Sequence, residues 1–315
     1  MHATRRSRAL SGLCTLACGM LLSLASTMAS AELRIGVTVG NLDNYIAYLV
    51  EAMKAHAAGV DGGATLQVEN ASSDVGRQLS QVENFIAQKV DVLIVNPADT
   101  AATAQITARA TAAGIGLVYL NSRPEVKDFP SGVAFVGTDE RAIGRMQMKY
   151  LAEKMNGKGN LAIILGRLAH DDTRKRTQGV KDVLADYPQI KVVVEDSADW
   201  QRDKGLDLMN NWLLAGKDID AVAANNDEMG IGAAMALGQS HNDKILVGGI
   251  DGTPDGLVAI ARKQLAVTVL RDPVAMGNAA VDAAVRLAHK ESLHGDIWIP
   301  LQLVTFENHA QFKRP

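Results

Sequence analysis

The stretch Asp91-Val-Leu-Ile-Val-Asn96-Pro-Ala-Asp99 decides the fold. Its apolar run, Val92–Val95, is too short for a helix and shows no alternation. It therefore reads as a strand buried on both faces, the kind found in parallel sheets covered by helices. The flanks agree. Val75–Gln88 is a helix upstream, and Thr100–Ala112 is a helix downstream, ended by Gly114 before the strand Leu117–Leu120. Further out, Leu33–Val39 is a strand, and Asn44–His56 is a helix with Ile46, Leu49, Val50 and Met53 on one face. Ala64–Val68 is the next strand. Strands alternating with helices in this way predict a doubly wound α/β layer structure.

The pattern then restarts. Asp220-Ala-Val-Ala-Ala-Asn225-Asn226-Asp227 is a counterpart of the opening stretch, a buried strand ending in Asn with an Asp close by. Around it lie strands at Ala134–Val136, Ala162–Leu165, Val192–Glu195, Ile245–Gly248 and Ala266–Leu270. Helices are expected at Arg141–Met155, Thr173–Leu184, Lys204–Ala215, Met229–Leu237 and Val274–His289. The fold class is thus α/β, with two similar doubly wound parallel-sheet domains. The absence of a Pro/Ser-rich linker predicts short crossings near residues 137, 271 and 300. These give one lobe of residues 32–137 plus 272–300 and another of residues 138–271 plus 301–315.

Length and composition set the bounds. The 315 residues are enough for two domains, and 47% hydrophobic with 21% charged is ordinary for a globular chain. Lys+Arg 32 against Asp+Glu 35, without a basic run beyond the N-terminus, argues against a nucleic-acid partner. Residues 1–31 read as a secretory signal. Arg5, Arg6 and Arg8 precede an apolar stretch from Ala9 to Leu24, and Ala29-Ser30-Ala31 supplies a small-residue cleavage site, with cleavage expected after Ala31. Cleavage removes three arginines and no acid, moving the net charge from −3 to −6. Both cysteines, Cys14 and Cys18, leave with it, which excludes a disulfide scaffold, a Cys nucleophile and a Cys-ligated metal. The expected location is the periplasm.

The polar residues gather where strands hand over to helices: Asn41, Asp43 and Asn44; Asn96; Asn121 to Arg123; Arg167 to Asp172 with Arg176; Asn225 to Asp227; Asp251; and Arg271-Asp272. Ligands of open parallel sheets bind at these carboxyl edges. Two such edges facing each other make a cleft. Asn, Asp and Arg suit a polyol, since the first two accept from hydroxyls and Arg forks across adjacent oxygens. Trp200 is the candidate ring to lie against the C–H face of a sugar.

Several strings carry a resemblance to a known family: Ala224-Asn-Asn-Asp-Glu-Met229, Val247-Gly-Gly-Ile-Asp-Gly-Thr-Pro-Asp-Gly256 and Asn96-Pro-Ala-Asp99. From Ile35 onward the chain resembles the sugar-binding proteins of bacterial ABC importers, of the ribose-binding type. Ala198-Asp-Trp-Gln-Arg-Asp-Lys-Gly-Leu-Asp-Leu-Met-Asn-Asn-Trp212 and Trp298-Ile-Pro300 are closer to the inositol- and rhizopine-binding subgroup. The resemblance implies a type I periplasmic binding fold with a three-crossing hinge that closes around one ligand. The implied partners are a membrane permease and, as a further candidate, a chemoreceptor. The expected state is a monomer without cofactor or metal. By position it implies ligand contacts from Asn44, Asn96, Asp172, Arg176, Trp200, Asn226 and Asp251. Asn121, Arg167 and Arg271 join them as departures from the pattern: Asn121-Ser122 stand for an Asp-Arg pair, and Arg271 for a hinge Gln. Ile46 and Ala47 replace two first-loop Phe residues, with Tyr45 or Tyr48 as substitutes. Arg271, Arg167 and His170 are expected to add positive charge to the pocket.

The bland readings stay beside these. Asn96-Pro97 also suits a turn, Asp251 also suits the N-cap of a helix over Thr253–Arg262, and Asp227 caps the helix after it. Trp200 also suits plain core. Arg176 also suits a solvated helix face, and Arg271 an interdomain ion pair. No nucleotide, phosphate, nucleophile-elbow or zinc-protease motif is present in the mature sequence, which argues against an enzyme. A glycoside-active enzyme using Asp251 and Asp255 is the remote alternative. The favoured ligand is a cyclitol such as myo-inositol. A neutral aldopentose or aldohexose such as ribose comes next, then a sugar acid.

Overall fold

The computed structural model describes residues 32–242, 244–293 and 295–312. The expected signal sequence, its cleavage site and both cysteines lie outside these residues. So do the last three residues of the second expected lobe.

The first half runs β1 (Leu33–Val39), α1 (Asn44–Ala57), β2 (Ala64–Asn70), α2 (Val75–Ala87), β3 (Val92–Asn96), α3 (Thr103–Ala112), β4 (Gly116–Asn121) and β5 (Val133–Gly137). The second runs α4 (Glu140–Lys154), β6 (Lys158–Leu165), α5 (Asp171–Leu184), β7 (Gln189–Ser197), α6 (Arg202–Leu214), β8 (Ala221–Ala224), α7 (Asp227–Gln239), β9 (Leu246–Gly248), α8 (Pro254–Ala261) and β10 (Val267–Arg271). Then follow α9 (Pro273–Ala288), β11 (Asp296–Trp298) and β12 (Leu301–Thr305).

The strands form two six-stranded sheets. One has the order β11-β5-β4-β3-β1-β2, the other β12-β10-β9-β8-β6-β7. Every pairing is parallel except β10 with β12. The two orders are the same winding, with the sixth strand in each supplied by the chain after residue 295. In both, the order reverses beside the first strand of the unit, which is where doubly wound sheets open a crevice. The chain passes between sheets at three places: after β5, between β10 and α9, and between β11 and β12.

Burial explains the strands. Val92, Leu93, Ile94 and Val95 are all fully buried, as are Ala221, Val222, Ala223 and Ala224. The first sheet is covered on one face by α1 and α9 through Leu49, Met53, Met276, Ala280 and Ala284. Phe85, Ile106 and Tyr119 fill its other face. The second sheet is covered by α6 and α7 through Met209, Trp212 and Ala233 on one side, and by Met148, Leu151 and Val180 on the other.

Three sequence readings need correction. Asp227 does not cap α7: Asn226 is the N-cap, its side chain accepting from Met229 N at 3.0 Å. Thr253, not Asp251, caps α8. The helix expected from Thr100 begins with a 3-10 turn, Thr100–Ala102, before α3. The sequence reading also passed over β11 and β12. Neither has a long apolar run, and Pro300 stands between them.

Candidate functional site

One cavity lies where the two sets of strand ends meet. The first sheet contributes Asn41, Asp43, Tyr45 and Ile46 from the start of α1, Asn96-Pro97 after β3, and Asn121-Ser122 after β4. The second contributes His170, Asp172 and Arg176 from the start of α5, Trp200, Asn226, Asp251 and Arg271. Each of these follows a strand's carboxyl end or opens the next helix, as doubly wound sheets dictate.

Local backbone aims several of them. Asn121, Trp200 and Asp251 all have positive φ, at 69°, 71° and 111°. Non-glycine residues rarely adopt this region, and Asp251 lies furthest from its favoured part. The Asp251 corner is held by main-chain bonds: its N–H donates to Val269 O at 2.9 Å, and its O accepts from Arg271 N at 3.2 Å. At Trp200 the ring lies against Gly166, where a Cβ would meet ring carbons at 2.2 Å.

At the centre are two buried arginines and three carboxylates. Arg271 is 1% exposed and Arg176 is 2% exposed, so neither is a surface charge. Arg271 donates from Nε to Thr138 Oγ1 at 2.9 Å and from Nη1 to Asp251 Oδ1 at 3.1 Å. Its Nη2 donates to Asn121 Oδ1 and stands 3.1 Å from Glu140 Oε1. Arg176 donates from Nε to Glu140 Oε2 at 2.6 Å and from Nη1 to the Asn225 carbonyl at 2.5 Å, with Asp251 at 3.6 Å. Thr138 donates to Glu140 Oε1 at 2.7 Å. Tyr45 donates its hydroxyl to the Arg271 carbonyl at 3.0 Å, and its ring centroid lies 4.6 Å from the Arg271 guanidinium.

Glu140 meets Arg176 because α4 and α5 pack without side chains at their crossing. A Cβ on Gly144 would lie 1.9 Å from the Arg176 carbonyl oxygen, and one on Gly179 would lie 2.2 Å from that of Arg141.

The electrostatics follow. Burial works to raise the Glu140 pKa, but Arg176, Arg271 and the Thr138 bond outweigh it and hold the carboxyl below its usual value. Burial raises Asp172 to about 6, with a further push from Glu140 and opposition from the two arginines. Burial likewise takes Asp251 to about 6 against the pull of Arg176 and Arg271. Behind the cavity, burial and the Asp251 charge push Asp227 up to about 8. Its oxygens accept from Thr268 Oγ1 at 2.6 Å and from Thr253 N at 2.8 Å. Burial and the Arg167 charge bring His170 down to about 4, so the ring is neutral at pH 7. Its Nδ1 accepts from Trp200 Nε1 at 3.1 Å, which requires the Nε2–H tautomer.

Asp172 accepts on Oδ2 from Ser122 Oγ at 2.9 Å and from Asn121 Nδ2 at 3.3 Å. Among the described residues, Asp172 Oδ1 and Asp251 Oδ2 have no protein partner, although both residues line the cavity. The arrangement offers carboxylate acceptors, arginine and amide donors, and one aromatic face. The Arg176 guanidinium lies 5.4 Å from the Trp200 ring.

Of the sequence candidates, the cavity brings together Asn96, Asn121, Asp172, Arg176, Trp200, Asn226, Asp251 and Arg271. Asn44 and Arg167 stand apart from it. Asn44 opens α1 and points to the rim, where its Nδ2 donates to Glu228 Oε1 at 3.1 Å; Asn41 and Asp43 reach inward instead. Arg167 bonds Ser73 across the cleft. The expected added positive charge is matched by acid: Arg271 is answered by Glu140 and Asp251, and His170 is uncharged. Asn96 lines the cavity, yet its amide also serves the backbone, donating to Leu120 O and accepting from Gly40 N, each at 3.3 Å. Tyr45, not Tyr48, takes the ring position in the first loop, since Tyr48 is exposed. Glu140 was missed because Thr138-Asp139-Glu140 reads as an ordinary helix start. The signal available was its place at the first crossing, opposite Arg271-Asp272 at the second.

The two lobes, the shared winding and the polar cavity between strand ends define a solute-binding protein of the type I periplasmic class. The chain belongs to the periplasmic binding protein domain family, whose profile matches residues 35–292. A protein of Rhizobium meliloti described as rhizopine-binding is 43% identical over 297 residues, covering 92% of this chain and 95% of that protein. A xylitol-binding protein of Mycolicibacterium smegmatis is 34% identical, covering 94% and 83%. Among solved structures, an ABC transporter solute-binding protein from Bacillus halodurans with bound myo-inositol superimposes with a TM-score of 0.85 at 38% identity. It covers 90% of this chain and 98% of the other. The chain is a sugar-binding protein of an ABC transporter, a class that binds its ligand for a membrane permease rather than converting it.

Proposed function

We propose that this protein captures a neutral cyclitol, myo-inositol or a close relative, in the cavity between the two sheets and delivers it to the permease. The observation that carries this reading is the matching of Arg176 and Arg271 by Glu140 and Asp251. The arginines are spoken for, so the cavity offers paired acceptors and donors to hydroxyls and no unanswered charge to an acid. A cyclitol presents hydroxyls around the whole ring and a C–H face for Trp200. The likeness to a myo-inositol-bound structure supports the same ligand.

Residues 32–137 plus 272–300 form one lobe and 138–271 plus 301–315 the other. The three crossings act as the hinge, and ligand touching both walls favours the closed arrangement. Asn44, Asn96, Asn121, Arg167, Asp172, Arg176, Trp200, Asn226, Asp251 and Arg271 serve binding: eight at the cavity, with Asn44 and Arg167 acting at its rim. The protein works as a periplasmic monomer, exported by the signal cleaved after Ala31, and a chemoreceptor is a second docking partner. A neutral aldose or acyclic polyol is the second reading, favoured by relatives named for xylitol and ribose.

A thermal-shift panel of cyclitols, aldoses, alditols and aldonates tests this. Ligand at ~100 times its Kd adds ~2.7 kcal/mol of stability. The expected result is a large shift with myo-inositol and little with aldonates. A shift confined to aldonates sinks the reading.

A further inference from the structure

We infer that Glu140 is the positioning residue that makes this cavity select uncharged polyols over polyol carboxylates. The inference rests on the neutral-ligand reading above and deepens it. Glu140 is buried, 5% exposed, and lies behind the arginines rather than on the cavity wall. Like Asp251 it is shared by both, and it holds Arg176 more closely: Oε2 takes Arg176 Nε at 2.6 Å, and Oε1 stands 3.1 Å from Arg271 Nη2, whereas Asp251 Oδ1 lies 3.6 Å from Arg176 and 3.1 Å from Arg271. Thr138 completes the link, accepting from Arg271 Nε and donating to Glu140.

The charges around the cavity sum accordingly. Arg176 from α5 and Arg271 from β10 face Glu140 from α4, Asp251 after β9 and Asp172 from α5, while Asp43 caps α1 nearby. With Glu140 ionised, cations are outnumbered even before Asp43 is counted. A ligand carboxylate would meet Asp172 and Asp251 with no arginine left to answer it, and like charges in a buried site disfavour binding. Hydroxyls carry no such penalty and still find the Arg and Asn donors. Without the Glu140 charge, Arg176 and Arg271 would face Asp251 and Asp172 alone. The sum would then rise by one unit, enough to admit an anionic substituent. Arg271 is the second of two arginines buried at the cavity. Glu140 is what allows this chain to place a second cation there without becoming an acid binder.

The test is calorimetric affinity for myo-inositol, D-xylose and D-glucuronate in wild type, E140Q and the double variant E140Q/R271Q, with folding checked by circular dichroism. In wild type, the better neutral ligand is expected to bind at least tenfold tighter than glucuronate. In E140Q that ratio is expected to fall at least tenfold. In the double variant, which returns the charge sum to its wild-type value, it is expected to recover most of the loss. A merely structural Glu140 would weaken all three ligands alike and leave the ratio unchanged, which overturns the inference while the neutral-ligand reading stands. Binding of glucuronate alone, or of none of the three, overturns both. If E140Q does not fold, the wild-type ratio decides: equal affinity for xylose and glucuronate rejects the role.

Discussion

The two walls of the cavity are built alike and furnished differently. The first sheet presents amides, a hydroxyl and a phenol: Asn41, Asn96, Asn121, Ser122 and Tyr45, with Asp43 as its one acid. The second presents Asp172, Arg176, Asp251 and Arg271, with Glu140 behind them. The same winding therefore supports a mostly neutral wall and an ionic one. In the ionic wall Arg176, Arg271, Glu140 and Asp251 hold one another in place. In the neutral wall Asn96 and Tyr45 are tied to backbone, while Asn121 and Ser122 reach across to Arg271 and Asp172. Loss of one group should be severe on the first kind of wall and mild on the second.

The largest expected effect is on the ionic wall. Arg176→Met leaves Glu140 and Asp251 short of a partner inside the protein. Breaking a buried pair in this way costs about 3–5 kcal/mol, read as a drop in urea-unfolding stability. A loss below about 1 kcal/mol would mean that the network is not held together as described. Next is Gly144→Ala, which forces α4 and α5 apart where a Cβ would meet the Arg176 carbonyl. Overpacking of this kind costs about 1–3 kcal/mol, and ligand affinity should fall with it because Glu140 and Arg176 separate. Ligand affinity unchanged from wild type would show that the helix contact does not set the wall.

A pH series sharpens the comparison further. Asp227, with its carboxyl raised to about 8, binds a proton in the folded state that the unfolded chain releases near its ordinary value. Over that interval the folded state holds more protons, so stability falls as pH rises and levels off above about 8. Asp172 and Asp251 act in the same sense but finish near 6. His170, lowered to about 4, acts oppositely and only up to its unfolded value of about 6.5. From pH 6.5 to 8 Asp227 dominates, with a slope of at most about 1.4 kcal/mol per pH unit. Chemical denaturation of Asp227→Asn should show that limb flattened. A limb that persists in the variant would assign it elsewhere.

The smallest effect belongs to the neutral wall. Asn96→Ala removes two bonds of 3.3 Å, and Gly40 N keeps a second acceptor in the Asn96 carbonyl at 2.8 Å. A cost of about 1 kcal/mol is expected in thermal unfolding. A loss as large as that of Arg176→Met would erase the distinction between the walls.

Most of the fold can be read in the sequence because its strands are short, continuous and apolar, and its helices keep a clear apolar stripe. The edges that carry the site are equally visible, since strand-terminal Asn and Asp announce themselves. What escaped has identifiable causes. β11 and β12 are three and five residues long and are specified by the strands they dock on, β5 and β10, not by their own pattern. Asn226 and Asp227 are adjacent, and sequence alone does not say which one turns to cap α7 and which one turns inward. Asn44 opens α1, and its amide bonds Glu228 at the rim, a partner 184 residues away that the local sequence does not announce. Glu140 escaped because a buried acid at a helix start looks like any other until its partners from α5 and β10 are seen.

The positive-φ corner at Asp251 has a practical corollary. Replacing it by glycine would relax a backbone cost of about 1–3 kcal/mol while deleting the carboxylate that Arg271 needs. Anyone hardening this scaffold into a biosensor should look to the outer helices for gains. The sturdier molecule with an unkinked corner there would be a deaf one.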